Sequence, residues 1–181
     1  MKGFFLGLLL GLIAVPAAVW IYLQHGNVPV ATADRPFPFE AMIVHGPLHK
    51  RIDREMPSHA PIEASDTNLE IGAHIYRVQC AACHGLYGLP SAYADQMYPK
   101  APQLWAPHRN GVVGVSDDPP GETYWKVANG IRLSGMPAFR NVLNNVQMWQ
   151  VSVLLANAAK PLPQPVSALL KQPLNLDANP Q

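Results

Sequence analysis

Apolar residues are concentrated at the start of this chain. Gly3–Leu23 is an uncharged run of about 21 residues, rich in Leu, Ile, Val, Ala and Phe. As a helix it would be about 31 Å long, which matches a hydrocarbon core of about 30 Å. Trp20 and Tyr22 suit the bilayer interface, and Lys2 favours a cytoplasmic N-terminus. Residues 1–23 are therefore predicted to be a single membrane-spanning anchor.

A cleaved signal peptide is the alternative interpretation of this run. Small residues stand where a peptidase could cut, at Val15-Pro16-Ala17 and at Ala31-Thr32-Ala33. The apolar stretch is long for a signal peptide, which favours the anchor. In both cases the rest of the chain is exported, so the following residues are expected on the outer, periplasmic side of the cytoplasmic (inner) membrane.

The next segment, residues 24–65, contains six prolines and four histidines and has no sustained apolar period. It is predicted to be an extended tether. The spacings of its histidines fit no metal-ligand motif, so these side chains are interpreted as solvated. Residues 161–181 are also rich in proline and are predicted to form a tail.

Helical periodicity marks residues 66–160 as the compact domain. A first helix is predicted over Leu69–Val78, capped by Asp66 or Thr67, and further helices over Glu122–Asn129 and from about Asn145 to Ala158. No stretch has the alternation of a strand, so the predicted class is all-α. The long irregular stretch between the first two helices is unusual in a compact domain, unless it wraps around a large apolar cofactor.

Charge and cysteine content exclude two classes of protein, those that bind nucleic acids and those stabilised by a disulfide framework. The chain has 13 basic and 12 acidic residues, so it lacks the positive field that a nucleic-acid partner requires. It has only two cysteines, which excludes a disulfide framework.

Both cysteines lie in the string Cys80-Ala81-Ala82-Cys83-His84. Two thiols with two residues between them can form thioethers with the vinyl groups of one haem, and the histidine that follows can then bind the iron. C-x-x-C-H is a specific sign of c-type haem attachment. A thioredoxin-like pair would need a βαβ setting, and a zinc site would need four ligands, so both fit this sequence poorly.

A second axial ligand is expected if the haem transfers electrons. Met136 is the best candidate because it lies in Gly135-Met136-Pro137, where glycine permits close backbone approach and proline keeps the loop out of a helix. The other candidates are Met97, Met148, His74 and His108. Met97 is too close in sequence to His84 to reach across a ring, and Met148 and His74 fall on predicted helices.

The order of these motifs resembles the class I cytochromes c, in particular single-haem bacterial forms with an N-terminal anchor. The residues that carry the resemblance are CAACHG, Ala101-Pro102-Gln103-Leu104, the phrase YWKVANGIRLSGMPAF, and a last helix with a tryptophan. The match covers about residues 66–160. It implies a fold of few helices and long loops around one covalent haem c, with the first and last helices crossing near Gly72, Tyr76 and Trp149. It also implies that the carbonyl of Pro102 accepts a hydrogen bond from the His84 ring, with Pro99 as the alternative acceptor.

Such a protein carries electrons and is not an enzyme. It is expected to accept them from a quinol-oxidising complex or a dehydrogenase, and to donate them to a terminal oxidase or reductase. Two alternatives are a fixed haem-relay subunit of a larger complex, and an enzyme or gas sensor whose iron has an open position.

Overall fold

The structure is a computed structural model that describes residues 2–174, and the end of the predicted tail, residues 175–181, lies outside the described residues. The described residues form seven helices and no strand, which confirms the all-α prediction. In chain order the helices are α1 (Lys2–His25), α2 (Glu40–Glu55), α3 (Asp66–Gln79), α4 (Ala81–His84), α5 (Pro120–Asn129), α6 (Asn145–Ala156) and α7 (Gln164–Lys171). The chain divides into two units, Met1–Glu40 and Ala41–Gln181.

Helix α1 contains the whole predicted apolar run, and Pro16 lies inside it without ending it. All of its side chains are exposed, including Phe4, Leu12 and Trp20. It is the one helix in the described part of the chain that is long and apolar enough to cross a bilayer. A helix that is apolar on every side needs an apolar surrounding, so α1 is a candidate membrane anchor.

Helix α2 lies where the sequence predicts an extended tether. One of its side chains, Ile52, is fully buried, and the indole nitrogen of Trp125 donates a 3.0 Å hydrogen bond to Glu55. The Arg51 guanidinium lies 5.9 Å from the centre of the Trp125 ring. Pro47 and the dense charges hide the apolar period of this helix in the sequence. The segment that joins α1 to α2 is therefore about 14 residues long, Gly26–Phe39.

Helices α3 and α6 cross at Gly72. A Cβ atom on Gly72 would collide with the backbone carbonyl of Gln150 and would lie 3.3 Å from Leu154 Cβ, so this crossing requires glycine. The side chain of Tyr76, one turn further along α3, is fully buried. Ser65, and not Asp66 or Thr67, caps α3 by accepting a hydrogen bond from the backbone N–H of Asn68. The crossing near Gly72 agrees with the one that the resemblance implies.

Helix α7 occupies part of the predicted tail. Its side chains Val166 and Leu170 are fully buried in the core that contains Tyr76. The Arg77 guanidinium donates hydrogen bonds to the carbonyls of Leu169 and Gln172, at 2.7 and 2.5 Å, and so satisfies orphan acceptors at the end of α7. This helix is therefore an integral part of the second unit.

Candidate functional site

The two cysteines and His84 lie on one tight turn. Helix α3 ends at Gln79, Cys80 caps it, and α4 follows at once. The backbone N–H groups of Cys83 and His84 both donate to the carbonyl of Cys80, at 3.1 and 2.9 Å. Gly85 ends the turn with φ of 72°, a left-handed conformation that favours glycine. The turn therefore places Cys80, Cys83 and His84 within one short stretch of backbone.

The Cys80 side chain is partly buried, and burial raises the pKa of its thiol to about 12, with a further contribution from Cys83. Thioredoxin-like redox pairs depend on the opposite, a thiol with a lowered pKa and a reactive thiolate. A metal site of three or more His, Cys, Asp or Glu side chains is also absent from the described residues. The raised pKa thus disfavours the redox-pair interpretation of the two cysteines.

The His84 ring is held by the loop that follows the turn. Its Nδ1 atom lies 2.8 Å from the carbonyl oxygen of Pro102, the acceptor that the resemblance implies, and not Pro99. A ring that donates from Nδ1 carries its free lone pair on Nε2, the atom that can bind a metal. Burial lowers the pKa of His84 despite the opposing effect of the Pro102 hydrogen bond, so the neutral ring is favoured.

The segment Ala101–Leu104 is itself fixed beneath this turn. The Leu104 N–H donates to the His84 carbonyl at 3.1 Å, and the Gln103 amide donates to the carbonyl of Cys83 at 3.3 Å. The Gln103 Oε1 atom accepts a 2.7 Å hydrogen bond from the N–H of Ser91. Gln103 lies in the segment Ala101–Leu104, which carries part of the resemblance to class I cytochromes c. The sequence does not predict that Gln103 holds this segment against the turn, because that role depends on contacts between distant loops.

Met136 lies on a separate loop that folds back over the end of α5. The N–H of Ile131 donates to the Met136 carbonyl at 3.2 Å, which closes the loop. Gly130 makes the return possible: a Cβ atom there would lie 2.7 Å from the carbonyl oxygen of Met136 and from the N–H nitrogen of Ala138. The Phe139 N–H then donates to the Val127 carbonyl at 2.9 Å and ties the loop to α5.

The other candidate ligands have different surroundings. Met148 is buried in the core on α6, and His74 is exposed on α3. The His108 ring lies 2.6 Å from the carbonyl oxygen of Gly114. The Met97 methyl group lies 3.1 Å from the position that a Cβ would take on Gly135, so Met97 packs beside the loop of Met136. This proximity was not expected from its position in the sequence.

The buried apolar residues form two clusters rather than one. The first contains Tyr76 and Leu104 with Cys80 packed against it, and the second contains Val127 and Phe139 with Met136 packed against it. Ile75 is only partly buried and packs against both clusters. The side chains of this site, two thiols, an imidazole whose Nδ1 is held by Pro102 and a thioether, have the chemistry that would hold a haem covalently and through its iron. The residues present therefore fit a haem c.

Residues 67–155 match a family model described as cytochrome C oxidase, cbb3-type, subunit III. The chain carries a class I c-type cytochrome domain. Comparison with curated proteins and with solved structures gives no significant match. A cytochrome c domain implies haem c and electron transfer, and it is typically extracytoplasmic. Helix α2 begins before the matched segment, and α7 follows it.

Proposed function

We propose that this cytochrome is a membrane-anchored carrier with one haem c, bonded through Cys80 and Cys83, that transfers single electrons between respiratory partners. The observation that carries the proposal is the Cys80–His84 turn, whose imidazole is oriented by Pro102 at 2.8 Å. The match to a cytochrome family over the same residues supports it independently.

The residues of the chain have distinct roles in this function. His84 would bind the haem iron through Nε2, while the Pro102 carbonyl holds Nδ1 and fixes both the tautomer and the ring orientation. Met136 would supply a thioether from the loop tied to α5. Haem c, when bound, supplies one-electron iron chemistry. If His84 and Met136 both held the iron, no position on it would be left for a substrate, and a methionine ligand would favour a higher potential than two histidines.

The membrane anchor defines where this chemistry takes place. With Lys2 on the cytoplasmic side, α1 would place the cytochrome domain on the outer face of the membrane. The donor would be a quinol-oxidising complex or a dehydrogenase, and the acceptor a terminal oxidase or reductase.

A fixed haem-relay subunit of a larger complex is the second candidate. It is favoured by the joining segment of about 14 residues, which limits the movement of the domain, and by the oxidase-subunit description of the matched family. Purification of the native protein in mild detergent distinguishes the two. Constant co-purification of other subunits supports the relay subunit, whereas a protein isolated alone in active form supports the carrier.

Haem attachment is tested by extraction with acidified organic solvent. The haem should stay on the polypeptide in the wild type, whereas Cys80→Ser combined with Cys83→Ser should give no stable holoprotein. Ala82→Ser is the matched control, because Ala82 lies between the cysteines and is exposed. Release of free haem from the wild type would refute covalent attachment.

The axial ligand is tested by Met136→Ala. This variant should lose the sulfur-to-iron charge-transfer absorption of the oxidised protein, have a lower potential and bind carbon monoxide when reduced. Met148→Ala is the control, because Met148 is a buried methionine that packs in the same cluster. If Met97→Ala or Met148→Ala has these effects and Met136→Ala does not, the assignment of the ligand is wrong.

A further inference from the structure

Helix α2 has two faces of different character. Leu48, Ile52 and Glu55 recur at helical spacing, and the last two contact the rest of the second unit, Ile52 by burial and Glu55 through Trp125. This set is the inner face. The opposite side of the helix does not take part in these contacts.

The outer face consists of Met42, Ile43, Lys50 and Arg54. Met42 and Ile43, in the first turn, are each 67% exposed. Lys50 and Arg54 are also exposed and take part in none of the ion pairs among the described residues. Two acidic residues lie next to this face, Asp53 beside Lys50 and Arg54, and Glu40 three residues before Ile43. The outer face thus combines an apolar end with a basic end.

The chain holds this face close to a membrane. The segment between α1 and α2, about 14 residues, reaches at most about 49 Å when fully extended and spans about 20 Å as a flexible coil. An exposed pair of apolar side chains is too small for a stable protein interface, which buries about 1,200–2,000 Å². A weak contact with lipid suffices, because the anchor keeps the local concentration high.

We propose that the outer face of α2 lies on an anionic lipid surface, with Met42 and Ile43 at the boundary between headgroups and acyl chains. Lys50 and Arg54 contact the lipid phosphates, as basic side chains of interfacial helices do. This inference rests on the proposed function only in taking α1 as the membrane anchor. Since the inner face of α2 is fixed to α5, the contact also gives the cytochrome domain one preferred orientation on the membrane.

The test uses the full-length holoprotein with a single spin label at Ile43→Cys. Vesicles of phosphatidylcholine alone are compared with vesicles that contain about 30% phosphatidylglycerol. Accessibility of the label to oxygen, which concentrates in lipid, is measured against accessibility to a water-soluble nickel chelate. Val146→Cys, an exposed position on α6, is the control site. The protein without an added cysteine must remain unlabelled, which separately checks that Cys80 and Cys83 are bonded to haem.

In anionic vesicles the ratio of oxygen to nickel accessibility at position 43 should be several-fold higher than at position 146. Lys50→Glu with Arg54→Glu, or about 0.5 M salt, should bring the ratio down to that of the control site. Equal ratios at the two sites in all vesicles would overturn the proposal. A label shielded from both reagents would also overturn it, since that result indicates a protein partner or a second copy.

Discussion

The indole nitrogen of Trp125 donates a 3.0 Å hydrogen bond to the carboxylate of Glu55, and this bond joins α2 to α5. Close by, Gly121 faces the carbonyl of Pro57, where a side chain on residue 121 would collide. Because α5 leads directly into the loop of Met136, the helix that follows α1 in the chain is linked to the helix that positions the proposed iron ligand.

Trp125→Phe removes the indole donor and retains most of the apolar contact. We expect the amides of α2 to exchange hydrogen faster in this variant, while those of α6 exchange as before. Hydrogen exchange of the holoprotein measured by mass spectrometry checks this. Glu70→Gln, which changes an exposed carboxylate on α3, should leave the exchange of α2 unchanged. Unaltered exchange of α2 in Trp125→Phe would show that packing alone holds this helix.

Acid should weaken the docking of α2. The hydrogen bond from Trp125, followed by that from Arg51, holds the pKa of Glu55 below its ordinary value of 4.5. A carboxylate with a lowered pKa stabilises the folded state above its ordinary pKa, and this stabilisation is lost as the pH falls through the lowered value. Near neutral pH, the hydrogen exchange of the α2 amides should therefore not depend on the protonation of Glu55. In acid, protonation of Glu55 should make this exchange faster. Glu55→Gln should remove that component of the pH dependence, and a wild-type profile that matches Glu55→Gln would contradict the expectation.

Gly135→Ala should disturb the loop of Met136. The new methyl group would meet the Met97 methyl at 3.1 Å, and φ of 75° at this position is unfavourable for alanine, at a cost of about 1 kcal/mol or more. We expect a weaker sulfur-to-iron absorption and a lower potential. Met97→Ala in the same chain relieves the contact but not the backbone strain, so the double variant should recover part of the absorption. If it recovers none, the effect of Gly135→Ala is due to the backbone alone.

The crossing of α3 and α6 should not tolerate a side chain at position 72. Gly72→Ala overpacks the crossing of α3 and α6 against the Gln150 carbonyl and should destabilise the fold by about 1–3 kcal/mol. Gly46→Ala is the comparison: beyond its chain neighbours nothing lies within 4 Å of the new methyl group, but Pro47 follows and disfavours helical backbone in a preceding residue that has a Cβ atom, so this variant should not stabilise α2. Urea denaturation of the holoproteins gives both values. A neutral Gly72→Ala would mean that the two helices can move apart without loss of stability.

The elements that sequence analysis predicted are those with strong local signals. The apolar run of α1, the periodicity of α3 and α6, and Gly130 at the end of α5 are all visible in short windows of sequence, whereas the cap of α3 was placed one or two residues too late. The Cys80–His84 turn is also local, because C-x-x-C-H specifies its chemistry within five residues. Short-range patterns of this kind need no knowledge of the tertiary contacts.

Helices α2 and α7 could not be predicted in the same way. Each is rich in proline or charge and depends on one or two buried side chains, Ile52 in α2, and Val166 and Leu170 in α7. Their stability comes from surfaces supplied by distant parts of the chain. The roles of Gln103 and Met97 beside the site were missed for the same reason, since both depend on how long loops return to the turn or to the loop of Met136.

The contacts of α3 with α6 and α7 also fix an order of events during biogenesis. Asn68 bonds to Gln150, 82 residues later in the chain, and Arg77 bonds to Leu169, 92 residues later. A chain synthesised from its N-terminus presents Cys80 well before these partners arrive. Until then the thiol is solvated, with a pKa near the ordinary value of about 8.5, and only closure of the fold raises it to about 12. Thioether formation is therefore expected on the open chain, and arrival of the last helix ends the period in which this cysteine can react.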